Sequence, residues 1–466
     1  MDDATTYDVR IYRTEIYKGA RVTTYRVRWK AGHRQYKRPF RNAAQADSYR
    51  SSLLTAARRG EAFSAQTGLP VSWQQSESSI SWFDLVLSYT AMKWPYAAPN
   101  HRRSIAEALT DATEAMLASE SPWPADDIRA ALRSWAFSNR MRGQTEPPPD
   151  LAPVIRWLSA STIPVADLAK PGAGAARTRA VLDRISRTRD GKAAAANTAN
   201  RKRAVLSNLM QYAVETGALP ASPLAAIRWT RPRTLKTVDP RTVINPGQAR
   251  RFLAAVARQG QRGERMVAFF GCMYYAALRP EEAVDLRRDN LASLPDHGWG
   301  ELILTNSEPR SGSHWTDDGL ARQRRELKHR APGDTRTVPL HPELVALLTD
   351  HLARFPARPG SRIFTGPRGG IFNDRAYLKI FHAARADAFA VGEAASLLAR
   401  RPYDLRHAAV STWLNAGVPA PQVAEWAGHS VAVLLRVYAK CITGQQDDAK
   451  RRIEAATTPP RDGEGG

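Results

Sequence analysis

Five side chains in the second half of the chain have the types needed to break and remake a phosphodiester without a metal: Arg279, Lys328, Arg406, His429 and Tyr438. Such a transition state spreads negative charge over the non-bridging oxygens, so fixed guanidinium groups are a natural clamp. A nucleophile must attack in line, and an acid must protonate the departing oxygen. A covalent intermediate stores the bond energy, so resealing would need no ATP. Arg279 closes an apolar stretch in Ala-Leu-Arg-Pro-Glu-Glu, and Arg406 lies in Tyr-Asp-Leu-Arg-His, residues 403 to 407. His429 lies in Ala-Gly-His-Ser, Tyr438 follows nine residues later in Leu-Arg-Val-Tyr, and Lys328 sits in Glu-Leu-Lys-His-Arg just before Thr335 to Leu340.

Taken singly, each position has an ordinary reading. An Arg after an apolar helix usually answers the helix dipole, and a Tyr on an amphipathic helix is usually core with its hydroxyl at the surface. Lys328 gains weight from composition. Only 12 of the 68 basic residues are Lys, and between Val238 and Tyr438 only Lys328 and Lys379 occur. An ammonium can donate a proton where a guanidinium cannot.

The ordered set resembles the catalytic domain of the tyrosine recombinase (phage integrase) family, and within it actinobacterial phage or integrative-element integrases. That family has Leu-Arg-x-x-Glu, matched by Leu278, Arg279 and Glu282. It has a Lys on a β-hairpin before Arg-x-Val-Pro-Leu, matched by Lys328 and by Arg336 to Leu340. It has His-x-x-Arg-His, then Gly-His-Ser, then Tyr nine residues beyond that His; Arg406, His407, Gly428, His429 and Tyr438 match in order and spacing. One position departs: Tyr403 stands where the family often has His. A Tyr there can still donate a hydrogen bond to phosphate or buttress Arg406.

The resemblance implies a mechanism. Arg279 and Arg406 bind the scissile phosphate, His429 donates a further hydrogen bond, Tyr438 forms a 3′-phosphotyrosine and Lys328 protonates the 5′ oxygen. Glu282 and His407 are expected to hold the arginines and the fold. No metal or cofactor is expected. The partners implied are double-stranded DNA at core and arm sites, a homotetramer on synapsed DNA with residues 439 to 455 passed to a neighbour, and an excisionase-type directionality factor. Type IB topoisomerase-like relaxation and a catalytically silent DNA-binding regulator are the rival readings. The extra N-terminal regions argue against the first, and the complete set of five residues against the second.

The elements that must position these residues fall into a multidomain α+β order. Residues 1–69 read as a small three-stranded β-sheet plus one helix. Strands are expected at Tyr7 to Tyr17, Arg21 to Lys30 and His33 to Phe40, and a helix over Asn42 to Gly60. This region has 14 Lys+Arg against 6 Asp+Glu. A basic face with Arg26, Arg28, Lys30, Arg34, Lys37 and Arg38, carrying Tyr25, Trp29 and Tyr36, is the expected DNA contact. A solvated edge sheet is the plainer alternative. Residues 79–230 read as helical, with helices at Trp82 to Trp94, His101 to Ser119, Ala125 to Asn139, Leu151 to Ser159, Ala175 to Thr188 and Ala193 to Gly217. By resemblance this is the core-binding domain, and the preceding sheet is an arm-binding domain. The cluster Arg201, Lys202 and Arg203 is a further backbone-contact candidate, although charge runs are usually solvated faces. Residues 231–245 read as an extended basic linker, 246–453 as a mainly helical catalytic domain with a small sheet, and 454–466 as a disordered tail.

Composition agrees. The formal net charge is +23 and the pI about 10.4, far beyond what solubility requires, which points to a polyanion. No run of 18 apolar residues occurs, so a membrane partner is not expected. The longest stretch, Met266 to Leu278, reads as a buried helix containing Cys272 as a core residue. Two cysteines give neither a disulfide framework nor a metal knuckle, and a bacterial cytoplasmic protein is expected.

Overall fold

The computed structural model describes residues 5–19, 23–71, 73, 80–234, 237–327, 331, 333–441, 450–451, 453–454 and 456–457. Lys328, most of the segment 439–455 and the tail beyond residue 457 lie outside these described residues. The chain divides into two compact units, Met1–Arg233 and Thr234–Gly466. No described helix is long and apolar enough to cross a membrane.

The first unit begins with a sheet built around the strand Thr23–Ala31, which pairs antiparallel with Arg34–Phe40 on one side. On the other side it meets two short strands, Val9–Ile11 and Glu15–Lys18, so the expected first strand is present but broken in two. Period-two alternation then sorts the side chains. Val27, Trp29 and Ala31 are buried against the helix Ala43–Arg58, whose Asn42 cap accepts a bond from Ala44 N–H. Arg26, Arg28 and Lys30 take the opposite face.

The helical part of this unit runs through Trp82–Lys93, Pro99–Glu114, Ala152–Ser161, Ala173–Ile185 and Ala196–Glu215. One expected helix, Ala125 to Asn139, is different. A single α-turn stretch, Ala125–Ala130, passes into a π-helical stretch, Ala131–Ala136, and a separate helix Asn139–Gln144 follows a Ser138 cap. Ala196–Glu215 is fastened to Pro99–Glu114 by a buried ion pair, Lys202 Nζ to Asp111 Oδ2 at 2.5 Å. Arg129 adds a second bond to Asp111 at 2.7 Å, and Arg184 pairs with Glu114 at 2.7 Å. Burial alone would raise the Asp111 carboxyl, but Lys202 and Arg129 hold it below the usual range.

This corrects the reading of Lys202 as a DNA contact. Its partner is 91 residues away in sequence, and its side chain is buried among the helices.

In the second unit the core forms around Val267–Tyr275, which packs against the helices Pro342–Arg354 and Pro402–Asn415. Phe252, Phe269, Phe270, Phe364 and Phe381 fill the interior. Each such side chain contributes about 1.5–3 kcal/mol on burial. A three-stranded antiparallel sheet, ordered Leu291–Ser293, Gly300–Leu304 and Arg336–Leu340, flanks this core. Of the expected strand at Arg325 to His329, Arg325–Glu326 pairs with Asn306–Ser307, and residues 328 and 329 lie outside the described residues. A second cluster gathers Val410, Leu414, Val423, Leu434 and Tyr438. The segment expected to be an extended linker carries a 3-10 turn at Pro240–Thr242, and Val238 N–H bonds to the Val437 carbonyl at 2.7 Å.

Replacing Lys202 with Ala is expected to lower stability in urea unfolding by about 3 kcal/mol, because the buried Asp111 carboxylate keeps Arg129 but loses the cation on its other oxygen. The salt dependence of DNA binding is expected to stay unchanged, since Lys202 reaches no solvent-facing phosphate.

Candidate active site

The cleft is built by the ends of short elements. Val267–Tyr275 stops because the chain must turn before Pro280, and a residue preceding proline is disfavoured in the helical region. Ala277 takes the turn with φ +49°, a left-handed conformation unusual for a residue with a side chain. Arg279 then caps the helix Pro280–Asp285. Glu282, in the first turn of that helix, bends back to accept from the Arg279 backbone N–H at 2.8 Å and from Arg279 Nη1 at 2.6 Å. The same carboxylate takes Arg336 as a fork, Nη1 at 3.0 Å and Nη2 at 2.7 Å. Burial would raise the Glu282 carboxyl, but Arg336, Arg279 and Arg406 outweigh it and hold it far below the usual range.

Gly428 ties the next element to this cluster. It ends the helix Ala420–Ala427 in the left-handed region, φ +63°, and its carbonyl accepts from Arg279 Nη2 at 3.0 Å. A Cβ here would lie 2.5 Å from Arg336 Nη1, so both the backbone angle and the guanidinium demand glycine. His429 follows, and Ser430 caps the helix Val431–Tyr438 by accepting from Val433 N–H. Two turns of helix then carry Tyr438 back beneath His429, with ring centroids 6.1 Å apart.

Arg406 comes from Pro402–Asn415 and is fully buried. It donates to the carbonyls of Ala277 and Ala427, and its Nη2 lies 2.9 Å from His429 Nε2. Because arginine only donates, His429 Nε2 accepts and the ring proton sits on Nδ1. That Nδ1 is buried without a hydrogen-bond partner. Burial, reinforced by Arg406, Arg279 and Arg336, pushes His429 down to about 3, so the ring is neutral at neutral pH.

Tyr438 is wholly buried, and its hydroxyl lies 2.9 Å from His407 Nδ1. Burial pushes its phenol above the usual value, against the pull of Arg406. Tyr403 stands edge-on to His407 at 5.0 Å, with the Arg406 guanidinium 5.9 Å from its ring. A cleft of about 740 Å³ is lined by Arg279, Asp334, Tyr403, His407, His429 and Tyr438 among others.

Four of the five sequence-selected groups, Arg279, Arg406, His429 and Tyr438, therefore converge; Lys328 lies outside the described residues. Arg279 faces the cleft, whereas Arg406 sits behind His429. Glu282 grips Arg279 and Arg336. His407 instead touches the Tyr438 hydroxyl, a role its position beside Arg406 in sequence did not suggest. Arg336, read only as part of a strand, is the second guanidinium on Glu282. Its signal was available: an Arg opening an otherwise apolar strand must find a buried acid.

The basic candidates of the first unit separate by face. Lys37 pairs across from Arg28, so Arg26, Arg28, Lys30 and Lys37 share one face, joined by Arg10 opposite Lys30. Arg34 and Arg38 pair with Ala31 and Val27 and therefore lie on the other face, where Arg38 covers the Tyr49 ring at 4.8 Å. The expected aromatics are also on that other face: Trp29 is buried, stacked on Tyr36 at 5.8 Å, and Tyr25 packs beside them. Alternation places them there because each pairs with an inward residue. The aromatics of the basic face are Tyr12 and Tyr17, under Arg28 and Arg26 at 5.5 and 4.7 Å. Arg28 is partly neutralised by Glu15 at 2.6 Å, and Lys30 lies 3.9 Å from Asp8. Arg201 bonds Ser104 and Glu107, and Arg203 lies 5.8 Å from the Trp229 ring, beside Arg231.

Gly428→Ala is expected to cost about 2 kcal/mol from the left-handed backbone alone, with a further cost as Arg336 shifts, read by urea unfolding. Glu282 supplies stability that is fully present above its unfolded-state pKa and is lost as pH falls toward its depressed folded-state value. Glu282→Gln should therefore flatten the acid limb of the stability–pH curve, besides lowering stability at neutral pH by about 3–5 kcal/mol.

Residues 242–442 match the family model described as "Phage integrase family". Among solved structures, the Tn1549 transposon integrase, residues 82–397, in complex with circular intermediate DNA is 15% identical; the match covers 70% of this chain and 99% of that one with a TM-score of 0.44. The XerH site-specific recombinase bound to difH substrate is 14% identical, with 78% and 97% covered and a TM-score of 0.40. The catalytic domain of bacteriophage HP1 integrase is 18% identical, with 46% and 97% covered and a TM-score of 0.29. No curated protein matches the chain. The chain thus carries a phage integrase family domain over residues 242–442.

Proposed function

We propose that this protein is a site-specific DNA recombinase that cleaves and rejoins duplex DNA through a 3′-phosphotyrosine at Tyr438, integrating or excising a mobile element. The observation that carries this reading is the convergence of Tyr438, Arg279 and His429 on one cleft, with His429 Nδ1 buried and without a hydrogen-bond partner. Arg279 is placed to bind a non-bridging phosphate oxygen, and His429 Nδ1–H to bind another. Arg406 adds its charge from behind and fixes the His429 tautomer. Donors held in place before the substrate arrives need no reorganisation as charge develops. Lys328 is the general acid of this proposal, assigned from its sequence position before Arg336.

In this reading the helices of 79–230 clamp the crossover site, and the sheet of 1–69 holds arm sites through Arg10, Arg26, Arg28, Lys30 and Lys37. Four protomers act on two synapsed duplexes, with residues 439–455 reaching a neighbour and an excisionase-type factor setting direction.

A pool of duplexes with randomised sequence, selected for binding and then nicked, supplies the test. Wild-type protein should form an adduct that survives SDS, while Tyr438→Phe binds the same duplexes and forms none. An adduct with the Phe variant, or none with wild type on any bound duplex, contradicts the proposal. For the arm face, changing Arg26 and Lys37 to Gln should make the slope of log affinity against log salt shallower by about 0.9 for each phosphate no longer neutralised.

A further inference from the structure

We propose that His407 is a further catalytic residue, accepting the phenolic proton as Tyr438 attacks the phosphate. This inference rests on the recombinase reading above. Its ground is geometric. His407 Nδ1 lies 2.9 Å from the Tyr438 hydroxyl, within the reach a general base requires. The neighbouring imidazole cannot serve, because His429 Nε2 already accepts from Arg406.

The ring is held on several sides. Tyr403 meets it edge-on at 5.0 Å from one turn earlier on the same helix, and Tyr438 meets it at 5.6 Å. The charged and titratable groups around it are Arg401, Tyr403, Asp404 and Arg406 on its own helix, with His429 and Tyr438 from the turn and helix packed across it. Burial, aided by Arg406 and Arg401 and opposed by Asp404, holds the imidazole down at about 4. It is therefore neutral at neutral pH. With its proton on Nε2, the Nδ1 lone pair faces the phenol. A phosphate entering beside Arg279 brings negative charge into the cleft, which raises the proton affinity of the imidazole when a base is needed.

The Tyr438 Oη–H bond breaks and its proton passes to His407 Nδ1, while the oxygen pair forms the Oη–P bond. The bond from phosphorus to the 5′ oxygen breaks, and that oxygen takes a proton from the general acid, assigned to Lys328. In resealing, the 5′ hydroxyl returns its proton to the Lys328 amine as its oxygen bonds to phosphorus, the Oη–P bond breaks, and the His407 imidazolium returns its proton to Tyr438.

Single-turnover adduct formation on a nicked duplex tests this against two variants. His407→Ala removes the acceptor; His407→Asn keeps a hydrogen-bond acceptor on the phenol but cannot take its proton. Both are expected to bind DNA as wild type does and to form adduct slower by roughly 100-fold or more. The defect should persist on a substrate whose 5′ bridging oxygen is sulfur, since a thiolate leaves without a proton. Added imidazole should restore His407→Ala, and wild type alone should slow as pH falls through the imidazole pKa. Cleavage by His407→Asn within about threefold of wild type, or a defect that vanishes on the sulfur substrate, would overturn the proposal. Absence of adduct with wild type would instead overturn the recombinase reading, so the two failures are distinct.

Discussion

The Glu282 carboxylate is the constraint on which the cleft depends. It accepts from the backbone of its own helix, from Arg279 and from both ends of the Arg336 fork. Three cationic groups crowd the region, and burying unpaired charge is costly. The carboxylate makes that density tolerable without consuming all of Arg279, which keeps a surface on the cleft. Because Arg336 opens a strand and Arg279 opens a helix, the same ion pair also joins the sheet to the helical core. The site's geometry and the packing of the unit are therefore one arrangement, and Gly428 is the point where the polypeptide must shrink to let them meet.

A second feature is the placement of the candidate nucleophile inside the hydrophobic cluster. The Tyr438 ring packs with Leu434, Val410 and Val423, and only its hydroxyl reaches a polar partner. An aromatic ring locked by packing has little freedom to lose on reaction, which favours an attack geometry held in advance. The helix that presents it is short, Val431–Tyr438, and is tethered at its end by Val238 N–H. Its position is set by a cap at one end and by neighbouring chain at the other.

Much of this was readable from sequence because local rules govern it. The nine-residue interval between His429 and Tyr438 is a turn, a Ser430 cap and one short helix, each with its own residue preference. Arg279 before Pro280 and Glu282 three residues on is likewise a local motif. What sequence concealed were relations set by distant partners. Lys202 looks like part of a charged run until Asp111 is brought across from another helix. Trp29 and Tyr36 look like companions of the basic face until strand pairing assigns them to its reverse. His407 looks like a support for its neighbour Arg406 until the last helix folds back and sets Tyr438 against it.

The central claim is that Tyr438, and not the other cleft phenol Tyr403, becomes joined to DNA. Tryptic digestion of a purified protein–DNA adduct tests it most directly, because Arg436 and Lys440 bracket Tyr438 on a short peptide of its own. Mass spectrometry should find the nucleotide remnant on Tyr438 in the fragment 437–440. A remnant on the peptide carrying Tyr403, or on any other side chain, would contradict the account.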